Sequence, residues 1–407
     1  MQCGLLGGKL GHSYSPSIHR MLGDYDYQLF EKSPEELESF LKHGNFTGIN
    51  VTIPYKKEVI PYLSELSDTA MKLGAVNTIV RKPDGSLLGH NTDYFGFLSM
   101  LRKSGLQVSG KKVLVLGSGG ASATCVCVLQ EAGANVVVIS RNGENNYSNI
   151  GLHEDAAVIV NATPVGMYPK CGETPISLDI FKNLEGVLDL IYNPARTALI
   201  MEAEQSGLVT ENGLWMLVAQ AAESAQWFAN IPVSQDKITE IYNALRQQML
   251  NIVLIGMPGC GKSTVGKVLA EKTGKGFIDA DRCIEDLAAK SIPEIFATIG
   301  EAGFRKLETQ VLQELGKRSG LVIATGGGCV TKPENYSLLH QNGTIYYLMR
   351  DISSLPTEGR PLSQKDTLTQ MFEMRKPLYA QFADITIDNN GDINAAISAI
   401  LKLEDVK

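Results

Sequence analysis

The stretch GMPGCGKST, from Gly256 to Thr264, constrains the fold more than any other part of the chain. Gly256, Gly261, Lys262 and Ser263 meet the spacing G-x-x-x-x-G-K-[ST], between the apolar run NIVLIG and the helical STVGKVLAEKTG. In such a turn the backbone amides converge on phosphate oxygens, the lysine reaches the terminal phosphates and the serine hydroxyl is available to Mg2+. The motif needs a strand before it and a helix after it, so this part of the chain is expected to be α/β with a parallel sheet.

Length and composition set the frame. At 407 residues the chain is longer than one hydrophobic core usually spans, which points to two or three domains. No apolar run approaches the roughly 18 residues of a membrane span. A net charge of -7 without clustered Lys and Arg argues against a nucleic-acid partner, leaving small molecules. The start, MQCGLLGGKLGHSYSP, lacks a basic region followed by an apolar one, so a cytoplasmic location is expected. Seven cysteines without a CxxC pair fit a reducing compartment, with Cys125 and Cys127 as packing residues.

Short apolar runs alternate with amphipathic ones from the start. CGLLGG, YDYQLFEK and FTGINVTIP read as strands, and PSIHRMLGD and PEELESFLKHG as helices. NTIVRK and SLLGHN form a hairpin across Pro83, Asp84 and Gly85. KKVLVLGSGGASATCVCVLQEAGANVVVIS then reads as strand, glycine turn, helix and strand. A helical stretch interrupted at Pro232 runs almost directly into NIVLIG, which places the domain junction near Gln247–Asn251.

Gly117, Gly119 and Gly120 follow a strand and open a helix, the setting for a dinucleotide pyrophosphate, although Ser122 stands at the third fingerprint position. Arg141, in VVVISRN, occupies the place where an acidic residue would accept ribose hydroxyls and so favours NADP. Upstream lie Ser13 and Ser15 in GHSYSPSIH, Asn50, Thr52 and Lys56 in INVTIPYKK, Asn77 in GAVNT and Asp93 in GHNTD. Hydroxyls and amides at strand ends suit a polyhydroxylated carboxylate, and a Lys beside an Asp can exchange a proton while hydride moves.

Together with NATPVGM, LIYNPARTAL and GLWMLVAQAA, these stretches closely resemble the shikimate dehydrogenases across Met1 to about Arg246. The resemblance implies a substrate part at about 1–100 and 215–246 and a Rossmann part at about 101–214. It implies that Ser13, Ser15, Thr52, Asn77, Tyr192 and Gln220 contact the substrate and that Lys56 and Asp93 form the acid/base pair. Gly117, Ser118, Gly119, Gly120, Ala121, Arg141, Leu190 and Gly213 would hold NADP. The chain departs from the family in having Ser140, Arg141 and Asn142 where Asn-Arg-Thr is frequent, so one adenosine-phosphate contact is expected to be lost.

The C-terminal part adds, in order, Asp279 and Asp281 in FIDAD, Arg305 in GFRKLE, Gly326 to Gly328, Arg360 in GRPL and Arg375 in MRKPLY. That series resembles the shikimate kinases over 250–407. It implies that Asp281, Arg305, Gly327 and Arg375 hold the cyclic triol and its carboxylate, a task suited to the planar fork of arginine. Lys262 and Asp281 would act in catalysis, Asp281 on the attacking hydroxyl. Gly259, Cys260, Gly261, Lys262, Ser263, Thr264 and a lid residue, Arg360, would meet ATP. Ser263 and Asp279 would hold Mg2+, and Glu308 would pair with an arginine.

The expected protein is thus α/β throughout: an α/β substrate domain, a Rossmann domain and a P-loop kinase domain. Its expected reactions are reduction of 3-dehydroshikimate with NADPH and phosphorylation of shikimate with Mg-ATP. An NAD-dependent quinate/shikimate dehydrogenase fused to a kinase, or a sensor without turnover, are the alternatives.

Overall fold

The computed structural model describes residues 1–11, 13–230, 232–355 and 365–406. It divides into two compact units, and the division does not fall at one point of the chain. The first comprises Met1–Gly166, Thr174–Tyr192 and Glu202–Asn243, and the second Met167–Glu173, Asn193–Met201 and the chain from Ala244 onward.

The first unit contains two sheets. One holds β1 (Gln2–Gly7), β2 (Asp26–Glu31), β3 (Gly48–Val51), β4 (Glu65–Leu66), β5 (Thr78–Arg81) and β6 (Leu87–His90), in the order β2-β1-β3-β5-β6-β4. Strands β2, β1 and β3 are parallel because α1 (Ser15–Leu22) and α2 (Pro34–His43) carry the chain back between them. A capping box starts α2, with the Glu36 carboxylate accepting the Ser33 N–H at 2.9 Å. Strands β5 and β6 are the expected hairpin, and Gly85 in its turn takes φ +86°. Helices α3 (Asp68–Leu73) and α4 (Asp93–Ser104) flank this sheet in sequence.

The other sheet is wholly parallel: β7 (Lys112–Leu116), β8 (Asn135–Ile139), β9 (Val158–Asn161), β10 (Gly186–Asp189) and β11 (Val209–Asn212), in the order β11-β10-β9-β7-β8. Its inner strands are near-continuous apolar runs, as a sheet covered on both faces requires. Helix α5 (Gly120–Glu131) leaves β7 at the point where the strand order reverses, where a crevice opens beyond the carboxyl ends. Helices α6 (Ala198–Gln205), α7 (Leu214–Ala229) and α8 (Gln235–Met249) follow. Helix α7 lies so close to α4 that a Cβ on Gly96 would stand 2.8 Å from the Met216 carbonyl, which explains a glycine inside a helix.

The second unit is built on β12 (Asn251–Ile255), β13 (Gly276–Asp279), β14 (Leu321–Ala324), β15 (Gly343–Met349) and β16 (Ile385–Asp388), all parallel in the order β13-β14-β12-β15-β16. The helices are α9 (Lys262–Thr273), α10 (Ala280–Ala288), α11 (Ile292–Lys317), α12 (Glu334–His340), α13 (Lys365–Phe382) and α14 (Ile393–Val406). Ile252 to Ile255 of the central strand are wholly buried, the position the phosphate loop demands of the strand before it. Helix α11 breaks at Gly300, whose φ of +67° and ψ of -178° only glycine adopts readily.

The unit boundary differs from the sequence reading in two places. It cuts α8 at Asn243–Ala244, because the last turn of α8 is held from within the second unit. There the Lys275 ammonium takes the carbonyls of Gln247 at 2.5 Å, Gln248 at 3.3 Å and Leu250 at 2.8 Å. Residues 193–201, expected in the Rossmann part, also belong to the second unit. Arg196 donates to the carbonyls of His340 at 3.0 Å and Gly343 at 3.2 Å, and the Ala195 N–H donates to Asn342 Oδ1 at 2.7 Å.

Candidate active sites

In the second unit the residues singled out by sequence converge on one cavity of about 760 Å³. Gly256, Gly259 and Gly261 take φ of +142°, +84° and +101°, which lets the loop turn on itself before α9. The Lys262 ammonium is folded onto the loop, donating to the carbonyls of Gly256 at 2.9 Å and Met257 at 3.1 Å. Gly259, Gly261, Lys262, Ser263 and Thr264 line the cavity. The Cys260 side chain is wholly buried and its carbonyl accepts from Asn389 at 2.6 Å, so any contact it makes to a nucleotide is through its backbone. Arg360, the expected lid residue, lies outside the described residues.

Asp279 serves two purposes at the end of β13. One carboxylate oxygen caps α10 by accepting the Asp281 N–H at 3.1 Å, and the other accepts the Ser263 hydroxyl at 2.7 Å. A hydroxyl and a carboxylate oxygen at the mouth of a phosphate loop are the hard oxygen donors that Mg2+ takes together with nucleotide phosphates, so the residues fit that ion. Among the described residues no cluster of three or more His, Cys, Asp or Glu could hold a metal on its own.

The three consecutive glycines are explained by what each faces. A Cβ on Gly326 would lie 2.6 Å from Asp281 Oδ1 and 2.7 Å from Glu308 Oε1. One on Gly327 would lie 2.6 Å from the ring of Pro258 in the phosphate loop, and one on Gly328 would lie 2.1 Å from the Arg305 guanidinium. Arg305 is paired with the buried Glu308 at 2.7 Å, as expected, and Arg375 donates to the Gly327 carbonyl at 3.2 Å. Burial pushes the carboxyls of Asp281 and Glu308 up, although Lys262 and Arg305 respectively pull them back. The sequence reading missed the apolar wall of Ile292, Pro293, Phe296 and Phe304, which straddles the Gly300 break and reads in sequence as ordinary helix core.

In the first unit Lys56 and Asp93 meet, Nζ to Oδ2, at 2.5 Å. Lys57, its neighbour, is exposed. Ser13 and Ser15 are joined by a bond from the Ser15 N–H to the Ser13 hydroxyl at 3.2 Å. The Tyr27 hydroxyl donates to Asn50 at 2.8 Å. The Asn50 amide donates to Thr78 at 3.1 Å and Ser224 at 2.7 Å. Asn77 closes the network, its Oδ1 accepting the Thr92 N–H at 2.7 Å.

This buried network is satisfied within itself and holds the strand ends in one arrangement. Tyr27, Thr78, Thr92 and Ser224 were not singled out in sequence, since an isolated hydroxyl carries no positional signal. His19 stacks on Tyr27 at 4.0 Å, and burial lowers its pKa to about 3, so it stays neutral. Tyr192 stands edge-on to Tyr14, between the two serines, with ring centres 6.1 Å apart. Gln220 is half-buried, its amide donating to the Leu217 carbonyl at 2.9 Å. Thr52, at the carboxyl end of β3, lines an open cleft with Gly8, Lys9 and Tyr55.

The glycine turn after β7 has the shape a pyrophosphate needs. Gly117 takes φ +103°, and Ser118, Gly119, Gly120 and Ala121 are exposed at the start of α5. A Cβ on Gly119 or Gly120 would project into open space, at a helix start whose free N–H groups are the ordinary partners of an anion. Ser122 fills the third fingerprint position by donating its hydroxyl to the Gly117 carbonyl at 2.7 Å, which secures the turn. Arg141 is exposed just beyond β8. At the ends of β10 and β11, Leu190 and Gly213 touch so closely that a Cβ on Gly213 would stand 1.9 Å from the Leu190 carbonyl.

Comparison with known proteins agrees with both halves. Residues 258–404 match the family described as shikimate kinase, and residues 5–79 that described as shikimate dehydrogenase substrate binding domain. A relative in Clostridium perfringens, named shikimate dehydrogenase (NADP(+)), is 36% identical over 266 residues, covering 60% of this chain and 97% of the relative. A chorismate mutase/shikimate 5-dehydrogenase fusion protein from Clostridium acetobutylicum is 38% identical with a TM-score of 0.58, over 60% of this chain and 97% of that one. Shikimate 5-dehydrogenase from Thermus thermophilus, solved in complex with NADP(H) and shikimate, is 28% identical with a TM-score of 0.54, over 60% of this chain and 99% of that one. The chain belongs to the shikimate dehydrogenase family and joins to it, in one polypeptide, a shikimate kinase domain.

Proposed function

We propose that the two parts, residues 1–246 and 250–407, perform consecutive reactions: NADPH-dependent reduction of 3-dehydroshikimate to shikimate, then phosphorylation of shikimate by Mg-ATP to shikimate 3-phosphate. The observation that carries the reading is that each part brings its own acid/base or phosphate-handling groups together. Lys56 meets Asp93 in one, and Lys262, Ser263, Asp279, Asp281, Arg305 and Arg375 share a cavity in the other.

NADPH supplies the hydride of the first reaction. Ser13 and Ser15 bind the substrate carboxylate, while Thr52, Asn77, Tyr192 and Gln220 orient its ring. Lys56, oriented by its ion pair with Asp93, delivers a proton from Nζ to the ketone oxygen as the alcohol forms. Gly117 to Ala121, with Leu190 and Gly213, leave room for the cofactor's pyrophosphate and nicotinamide, and Arg141 meets the phosphate that distinguishes NADP from NAD.

In the second reaction Arg305, Arg375 and Gly327 hold the carboxylate and hydroxyls of shikimate. Asp281 orients the attacking hydroxyl and receives its proton as the new O–P bond forms and the bond to ADP breaks. Lys262 neutralises charge on the moving phosphoryl group, and Ser263 and Asp279 would hold Mg2+, whose charge would offset that of the phosphates. Phosphoryl transfer asks little covalent chemistry of a protein, so positioning dominates.

Initial rates test this reading. Shikimate oxidation with NADP+ is expected to exceed both its oxidation with NAD+ and that of quinate with NAD+, and ATP consumption is expected to depend on shikimate. Quinate oxidation with NAD+ at a comparable rate would replace the first assignment.

A further inference from the structure

One wholly buried side chain of the second unit has no part in the assignments above. Tyr379 lies on α13 one turn beyond Arg375, and its ring stacks on Tyr347 of β15 with centres 4.9 Å apart. Its hydroxyl donates to the Gly327 carbonyl at 2.5 Å and lies 3.7 Å from Sδ of Met257 in the phosphate loop. The same carbonyl accepts from Arg375. A carbonyl oxygen has two lone pairs, so both donors are accommodated.

Gly327 is the middle of three glycines, none of which has a side chain to fix its peptide plane. Pro258 backs the turn on one side, and the tyrosine and arginine hold its carbonyl on the other. Burial raises the Tyr379 phenol far above its usual range, so the hydroxyl remains a donor at any working pH. We propose that Tyr379 is a positioning residue for acceptor recognition: by fixing the Gly327 carbonyl it fixes both that peptide and the Arg375 guanidinium that the acceptor carboxylate meets. The inference rests on the reading of this cavity as the shikimate site.

The full-length Tyr379→Phe variant keeps the stacked ring and removes the one hydroxyl. The KM for shikimate in the kinase reaction is expected to rise roughly five- to tenfold, about what one buried hydrogen bond is worth. The KM for ATP and the dehydrogenase rate are expected to stay within about twofold, inside the scatter of independent sites. Because the hydroxyl acts in part through Arg375, the same substitution in an Arg375→Ala background is expected to raise the shikimate KM by a smaller factor than it does in the wild-type background. Equal rises in both KM values, additive effects in the double variant, or loss of the fold in Tyr379→Phe would overturn the proposal. Wild type measured alongside separates the two claims: no shikimate phosphorylation there contradicts the proposed function itself, whatever the variants do.

Discussion

Nζ of Lys56 lies 2.5 Å from Oδ2 of Asp93, two residues 37 positions apart in sequence. Lys56 follows β3 and Asp93 opens α4, so neither is placed by its neighbours in sequence. The pair forms because β3, β5 and β6 are adjacent in one sheet, and the chain leaving β6 returns Asp93 to the end of β3.

Lys56→Ala is expected to lower kcat/KM for 3-dehydroshikimate reduction by about 10²–10⁴, the range of a lost general acid. The kinase rate of the same preparation is expected to hold, which makes it an internal control for folding. A reductase within twofold of wild type would remove the proton-transfer role of Lys56.

Gly328→Ala introduces a Cβ that would stand 2.1 Å from the Arg305 guanidinium, and Arg305 is held by the buried Glu308. The arginine must shift, so the shikimate KM of the kinase is expected to rise at least about tenfold, because small misplacements of a positioning group are costly. Calorimetry on the same variant checks that the first unit still melts as in wild type.

Chelation separates the two activities. With excess EDTA the kinase is expected to lose turnover, and the reductase to keep it, since in the proposed scheme only the phosphoryl transfer draws on Mg2+ at Ser263 and Asp279. A reductase that fell in parallel would show that the first site also depends on a metal.

Arg141→Ala is expected to raise the KM for NADPH roughly tenfold, the value of a charge-assisted contact to phosphate, with the NADH rate nearly unchanged. Steady-state rates with the two cofactors decide it. Equal effects on both would place Arg141 away from the adenosine phosphate.

Much of this architecture was legible in the chain. GMPGCGKST requires the buried strand and helix that β12 and α9 supply, and KKVLVLGSGG requires the turn that Gly117 makes at φ +103°. The buried network around Asn50 was not legible, because Tyr27, Thr78 and Ser224 come from β2, β5 and α7, Thr92 from the turn before α4, and each alone is an ordinary polar residue. Nor was the break at Gly300, which sets Phe296 and Phe304 against each other with ring centres 4.7 Å apart inside a run that reads as continuous helix. The place of Cys260 was also hidden: the motif fixes its backbone, whereas packing beneath the loop decides that its thiol is buried.

The most direct test of the central claim mixes purified full-length protein with 3-dehydroshikimate and NADPH, with and without Mg-ATP, and follows NADPH and shikimate 3-phosphate together. The account predicts NADPH loss in both mixtures and the phosphate ester only where Mg-ATP is present. Folded protein that consumes NADPH yet forms no ester with Mg-ATP would contradict the claim of two consecutive reactions on one chain.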